Sequence, residues 1–188
     1  LIFEVPTGRI LGAQAIGKGN ADKRIDVIAT MITMNGTIED LKELELTYSP
    51  MFSTAKDVVN MAALVATNIL ENRFKQVHVD EVRGLVESNA YILDVREVGE
   101  FANGHIKNAV NVPLSELRER MNEIPKDRTI YVHCRSAQRS YNAVMALLHN
   151  GYENVYNVSG SFLGICLYEY FNDVTKNREP IVTQYNFK

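Results

Sequence analysis

A cysteine stands where a strand-like run, Thr129-Ile130-Tyr131-Val132-His133, meets a polar loop reading Cys134-Arg135-Ser136-Ala137-Gln138-Arg139-Ser140. A helix-like run from Tyr141 to Leu148 follows at once. A thiol carried by a strand to the start of a helix, between two arginines, is placed as a nucleophile. The backbone N–H groups of such a loop can converge on one point and make an anion nest. Those dipoles and the adjacent cations are expected to lower the thiol pKa from ~8.5 towards or below neutrality. The competing reading makes Cys134 a small buried hydrophobe and the arginines merely solvated. Agreement of strand, loop and helix favours the reactive one.

The length of the loop selects the chemistry. Cysteine phosphatases resemble this pattern but carry one more residue between Cys and Arg, which widens the cradle for a phosphate. The loop from Cys134 to Arg139 is tighter and suits one added sulfur atom. It resembles the active loop of the rhodanese family of sulfurtransferases. Other residues fall in that family's order: Tyr91-Ile92-Leu93 running into Asp94-Val95-Arg96-Glu97, then Glu100-Phe101 and Gly104-His105-Ile106. Ala109-Val110-Asn111-Val112-Pro113 and an amphipathic stretch from Ser115 to Met121 follow. The resemblance covers Gln76 to Phe171. It implies an α/β domain, a parallel sheet flanked by helices, in which Cys134 becomes a persulfide. Arg135, Ser136, Ala137, Gln138 and Arg139 would form the active loop, supported by Asp94 and Arg96. The chain departs from the family where Gly160-Ser161 replaces Gly-Gly and a downstream tryptophan is missing.

Composition narrows the setting. Of 188 residues, 46% are apolar, which is enough for packed cores in one or two small domains. A formal net charge of −3 lacks the basic footprint of a nucleic-acid binder. No run is long and apolar enough to span a membrane, and no secretory pattern is visible. Two distant cysteines, Cys134 and Cys166, make no disulfide framework, which fits a reducing, cytoplasmic setting. The chain starts at Leu1 rather than Met, so a piece of a longer protein is expected.

The first third has its own organisation. Arg9 to Ile16 alternates as a strand does, and Gly17-Lys18-Gly19-Asn20 reads as a turn. Ile25, Ile28, Ala29 and Ile32 recur at helical spacing up to Gly36, the expected stop. Thr37-Ile38-Glu39-Asp40 is a capping-box variant opening a short helix through Leu44. Tyr48 to Phe52 reads as extended. Ser53 or Thr54 is expected to cap a longer helix whose inner face is Val58, Met61, Ala62, Val65 and Ile69. Glu71 to Gln76 is a polar junction, and Asn172 to Lys188 shows no period. Gly12 to Lys18 mimics a P-loop, but Gly19 stands where the motif needs Ser or Thr, so nucleotide binding there is rejected.

Gly8 to Asn68 resembles the C-terminal dimerisation domain of FAD-dependent pyridine nucleotide-disulfide oxidoreductases, nearest the coenzyme A-disulfide reductase and NADH oxidase branch, so that with the rhodanese-like part it looks like the C-terminal part of a coenzyme A-disulfide reductase–rhodanese fusion. Gly8-Arg9-Ile10-Leu11-Gly12-Ala13-Gln14, Lys23 to Ala29, Leu44 to Ser53 and Lys56-Asp57-Val58-Val59-Asn60 carry the likeness. Residues 1–73 would then be a partial α+β dimerisation domain and 74–188 a rhodanese-like domain with a tail. The resemblance implies a homodimer through residues 1–73, with Tyr48, Pro50 and Phe52 near the partner's flavin site. FAD and NAD(P)H, with coenzyme A as a further candidate, belong to the full-length parent. No cofactor is expected in this chain alone. A sulfane-sulfur donor and a thiol acceptor are the implied partners.

The remaining polar residues have structural readings. His133 should point away from the thiol by strand alternation. Asp94 is expected as a strand-end cap, Arg96 and Glu100 as an ion pair, and His105 as a hydrogen-bonded turn residue. Arg139 is expected to buttress the loop, and Cys166 to be an inert core thiol. No cysteine and histidine grouping has metal-ligand spacing. Three readings of function follow: a sulfurtransferase, the dimerising and sulfur-relaying end of a flavin-dependent disulfide, persulfide or polysulfide reductase, and, as the alternative, a non-catalytic interaction module of the parent oxidoreductase.

Overall fold

The computed structural model describes residues 1–187, and the chain divides into two compact units after Arg73. In the first unit β1 (Ile2–Phe3) pairs antiparallel with β2 (Ile10–Gly12). Three helices follow, α1 (Ala21–Thr33), α2 (Ile38–Glu43) and α3 (Val58–Leu70). Ile10, Ile28, Ile38, Leu41, Val59, Ala63 and Ala66 form its core.

Several local expectations need correction here. The strand is confined to Ile10–Gly12 rather than reaching Ile16. The residue that ends α1 in the left-handed region is Asn35, with φ 55°. Gly36 serves a different need: a Cβ there would lie 2.5 Å from Met31 Cε and 3.1 Å from the Met31 carbonyl oxygen. Thr37 and Asp40 form the expected reciprocal cap of α2. Tyr48 to Phe52 is a turn, not an extended run, because Phe52 and Ser53 N–H groups donate to the Ser49 carbonyl at 2.9 and 3.0 Å. Pro50 takes the second turn position, where its fixed φ is favourable.

α3 is capped by Asp57 and Asn60 rather than by Ser53 or Thr54. Arg24 holds the Asp57 carboxylate at 2.9 and 3.2 Å, which fixes the cap in place. The inner face of α3 is Val59, Asn60, Ala63, Ala66 and Thr67. Of the stripe expected to be inner, three residues face outward, with Val58 60% exposed, Met61 44% and Val65 48%, while Ala62 and Ile69 are half-buried. A helix apolar on almost every side does not reveal its buried face by periodicity. Small Ala63 and Ala66 decide the matter by letting the backbones approach.

The second unit is a five-stranded parallel sheet in the order β3-β7-β6-β4-β5. The strands are β3 (Lys75–Val77), β4 (Tyr91–Asp94), β5 (Val110–Asn111), β6 (Ile130–His133) and β7 (Val155–Val158). Helices α4 (Val82–Glu87), α5 (Val98–Ala102), α6 (Gln138–His149) and α7 (Ser161–Lys176) connect and cover them. The chain steps outward from β4 to β5, then back past β4 to β6. Ligand sites of open α/β sheets lie at such a reversal, beyond the carboxyl ends of the strands. Asp94 ends β4 and Cys134 follows β6, so both stand at that reversal. The expected junction, Glu71 to Gln76, splits after Arg73: its second half belongs to this unit, since Phe74 is buried with its ring edge-on to Tyr141 and Lys75 opens β3.

The amphipathic stretch forms turns over residues 115–120 and then a short 3₁₀ turn, Met121–Glu123, with Leu117 buried as the pattern required. The tail is ordered rather than formless. After α7 it returns across the Gly104 turn, where Val182 bridges to Ile106 and the Thr183 N–H donates to the His105 carbonyl at 2.8 Å. Ile181 and Val182 enter the core. Beneath the tail, buried Glu169 and Asp173 are shared between Arg83 and Arg178, and the Tyr185 hydroxyl donates to Asp173.

Candidate active site

Cys134 leaves β6 at 1% exposure, under a loop whose rim residues Ser136 and Gln138 are exposed. Arg135 is half-buried, and Ala137 adopts φ 78° to turn the chain into α6. The start of α7 fixes the loop from below. Phe162 and Leu163 N–H groups donate to the Cys134 and Arg135 carbonyls at 3.0 and 3.1 Å. In planar trans peptides the N–H lies opposite the carbonyl, so the Arg135 and Ser136 N–H groups are turned away from α7.

Burial alone would push the Cys134 thiol up. Hydrogen bonds from the Ser140 side chain, from the Ser140 and Ser136 N–H groups and from the Ser161 hydroxyl outweigh it, and hold the thiol below its ordinary value. A thiolate stabilised by converging donors at a strand end is a nucleophile whose charge is met by dipoles rather than by a neighbouring base.

Arg139 closes the loop on Glu100 of α5 through both terminal nitrogens, at 2.6 and 2.8 Å. That hydrogen-bonded guanidinium holds the Glu100 carboxyl below its usual range. Arg96 does not pair with Glu100 as expected. It folds back on Asp94 instead, with bonds of 3.0, 3.0 and 2.6 Å, and donates to the Gly104 carbonyl at 2.8 Å. The reason is burial: Asp94 is fully buried at the strand end and needs a cation of its own. The Phe162 ring, 4.0 Å from the guanidinium carbon, covers its open face.

Two family models divide the chain in the same way. Residues 1–59 match the pyridine nucleotide-disulphide oxidoreductase dimerisation domain, and residues 78–167 match the rhodanese-like domain. Among curated relatives, the uncharacterized protein YqhL of Bacillus subtilis is 36% identical over 99 residues, covering 53% of this chain and 79% of its own. A sulfurtransferase of Allochromatium vinosum is 40% identical over 72 residues, 38% of this chain and 67% of that one.

The chain belongs to the rhodanese-like family.

Its rhodanese-like domain follows a dimerisation domain of the disulfide oxidoreductases. The same pairing occurs in two solved structures. Reduced CoADR-RHD of Bacillus anthracis is 46% identical with a TM-score of 0.72, covering 75% of this chain. An NAD-dependent persulfide reductase from A. fulgidus is 38% identical with a TM-score of 0.75, covering 85%. This chain spans only 25% and 28% of those longer proteins.

The other polar residues of the rhodanese-like domain serve its frame. His133 is fully buried; its Nδ1 lies 3.1 Å from the Cys134 carbonyl, so that nitrogen carries the proton, and burial holds the ring well below its ordinary pKa. His105 stacks on Phe101 with centroids 3.8 Å apart, and its Nδ1 donates to the Phe101 carbonyl at 2.9 Å. Gly104, at φ 126°, has no room for a Cβ, which would lie 2.5 Å from the Gln184 carbonyl oxygen. Cys166 is buried in α7, and burial raises its pKa, as suits an unreactive thiol. Among the described residues no cluster of ligating side chains has metal-binding geometry, and no helix is long and apolar enough to cross a membrane.

Ser140 and Ser161 are the polar groups at the thiol that sequence reasoning passed over. Ser140 was visible as the residue after the loop, and Ser161 as the departure from Gly-Gly. In the dimerisation domain, Tyr48, Pro50 and Phe52 are all exposed. Phe52 lines a cleft of about 490 Å³ together with Lys23, Arg24, Ser49 and Asp57.

Proposed function

We propose that the rhodanese-like domain transfers sulfane sulfur through a persulfide on Cys134. One observation carries this reading: a buried thiol at the end of β6 on which hydroxyl and backbone donors converge, holding it below its ordinary pKa. The Cys134 thiolate attacks the outer sulfur of a donor such as thiosulfate. A new S–S bond forms, the donor's own S–S bond breaks, and that electron pair leaves with sulfite. A thiolate or cyanide then attacks the outer sulfur, and the electron pair of the broken bond restores the Cys134 thiolate. Sulfite and thiolate leave readily, so no separate general acid is needed. Loop dipoles stabilise the charged sulfur throughout, in the manner of an oxyanion hole. The near-complete burial of Cys134 favours slender donors over bulky esters.

In a longer parent, we propose that the first unit joins two copies through residues 1–73. The outward stripe of Val58, Met61 and Val65 on α3 is the natural contact, since exposed apolar patches of this kind mark association surfaces. FAD and NAD(P)H would be held elsewhere in such a parent, because no Gly-x-Gly-x-x-Gly follows a strand in this chain. When bound they supply electrons for reducing a disulfide or persulfide. From this chain the exposed Tyr48, Pro50 and Phe52 would contribute to the partner's flavin site. Coenzyme A is the proposed thiol carrier between that site and Cys134.

Mass spectrometry after thiosulfate treatment tests the central claim. One added sulfur on Cys134 is expected, absent in Cys134→Ser and retained in Cys166→Ser, with thiosulfate:cyanide turnover following the same pattern. Turnover that survives Cys134→Ser would end this reading.

A further inference from the structure

The start of α7 carries a residue that its backbone does not favour. Gly160 and Ser161 both lie in the left-handed region, at φ 78° and 49°. Glycine tolerates that conformation freely, while a side chain is disfavoured there. Ser161 is nonetheless fully buried. Its hydroxyl oxygen accepts the Cys134 N–H at 3.2 Å and lies 3.9 Å from Cys134 Sγ. The hydroxyl has one proton and three acceptors in reach: the sulfur, the Val158 carbonyl at 3.2 Å and Ser140 Oγ at 3.4 Å.

We propose that Ser161 is a positioning residue for Cys134, holding its backbone as an acceptor and turning its proton onto the sulfur when that sulfur is charged. With a neutral thiol the hydroxyl proton rests on the Val158 carbonyl. A charged sulfur is the stronger acceptor and draws the proton across. The swing needs no backbone movement, because the oxygen stays anchored by the Cys134 N–H. The charged side chains around the loop have partners of their own: Arg139, which also attracts Cys134 electrostatically, binds Glu100, and Arg96 binds Asp94. His133 faces Asp94 and stays neutral through burial, and Arg135 stands at the loop rim. Neutral donors therefore carry much of the sulfur's charge, and Ser161 is the one contributed from outside the loop and α6. A purely structural clamp would not need this hydroxyl, since Phe162 and Leu163 N–H groups already tie α7 to the loop.

The inference rests on Cys134 sulfur being the working atom, and the test separates the two claims. In a Cys166→Ser background, the rate of Cys134 alkylation by iodoacetamide is followed against pH for Ser161, Ser161→Gly and Ser161→Ala. Both variants should move the profile upward by about one pH unit, with roughly tenfold slower alkylation at pH 7. Ser161→Gly relieves the left-handed residue, which offsets part of the loss of the acceptor for the Cys134 N–H, and a thermal melt checks that it remains folded. That variant carries the test even if Ser161→Ala folds poorly. A Ser161→Gly profile superimposed on the parent's overturns the assignment. Mass spectrometry after thiosulfate is run on the same samples. A parent that never gains sulfur, with the profile still shifted, removes the sulfur-transfer reading and leaves Ser161 in place.

Discussion

Arg139 ends the Cys134 loop by gripping Glu100, a residue of a different helix, with both terminal nitrogens at 2.6 and 2.8 Å. The Arg139 guanidinium also attracts the Cys134 sulfur electrostatically. The pairing of Arg139 with Glu100 ties the opening turn of α6 to α5, so the loop is held at both ends: by α7 beneath its first residues and by Glu100 beyond its last.

Glu100→Gln should therefore cost the loop more than it costs the fold. Each partner is about one-third exposed, so the pair is worth about 1 kcal/mol or less in stability. Thiosulfate:cyanide turnover should fall by roughly tenfold as the loop loosens. Because Arg139 lowers the Glu100 pKa, the pair's contribution is complete above the ordinary carboxyl value and fades as pH falls through the lowered one. Urea midpoints between pH 6 and pH 3 should show a shallower acid limb for the variant. An unchanged turnover would mean that Arg139 does not order the loop.

Arg96→Met should be far more damaging to stability. It leaves the fully buried Asp94 carboxylate without its cation, a change costing about 3–5 kcal/mol. The double variant Asp94→Leu with Arg96→Met should recover much of that loss. Equal urea midpoints for the single and double variants would contradict the account.

His133 should give the fold a pH dependence of its own. Its folded pKa lies below the ordinary histidine value because burial disfavours the charged ring. Below ~6.5 the unfolded chain takes up a proton that the folded one refuses. Stability should therefore decline as pH falls from ~6.5 towards the lowered value, then level off. Asp94, with Oδ2 3.6 Å from Nε2, limits the decline by attracting the charged form, and Arg96 opposes it. Denaturant midpoints from pH 7.5 to 5.0 measure this, and His133→Gln should flatten the curve across that window.

Val65→Lys should separate proteins that associate through the first unit. Val65 is 48% exposed on the outer stripe of α3, so the change adds charge to a surface without disturbing the core. Sedimentation should show dimers for the parent sequence and monomers for the variant, with helical content unchanged. Dimers that persist in Val65→Lys would place the contact elsewhere.

The geometry of the candidate site was legible in proportion to how local it was. Cys134, its loop and the strand before it are contiguous, and contiguity let the sequence pattern speak. Arg139 as a buttress could be read too, but its partner could not. Glu100 is near Arg96 in sequence and near Arg139 only in the fold, so the expected ion pair was the wrong one. Ser161 was noticed as an irregularity, yet its role needed the parallel pairing of β6 with β7 to bring α7 under the loop. In α3 the failure had another source: apolar residues on both faces left periodicity without a direction, and only packing against α2 chose one. The tail gave no signal because its two core residues, Ile181 and Val182, are adjacent and follow no helical or strand repeat.

The order of strands also bears on the order of synthesis. β3 is the first strand of the rhodanese-like domain to leave a ribosome, but its only neighbour in the sheet is β7, with Lys75 facing Tyr156. The Gly104 turn that accepts Arg96 waits longer still, for Ile181 to Thr183. The first unit, built from neighbouring helices and a hairpin, has no such wait. A nascent chain thus passes through a stage in which the first unit has all its own elements, while Cys134 is present but has neither the Ser161 hydroxyl beside its sulfur nor the α7 N–H groups that hold its loop. Folding of the first unit can precede completion of the thiol's surroundings, because the last donor to the sulfur, Ser161, comes only after β7.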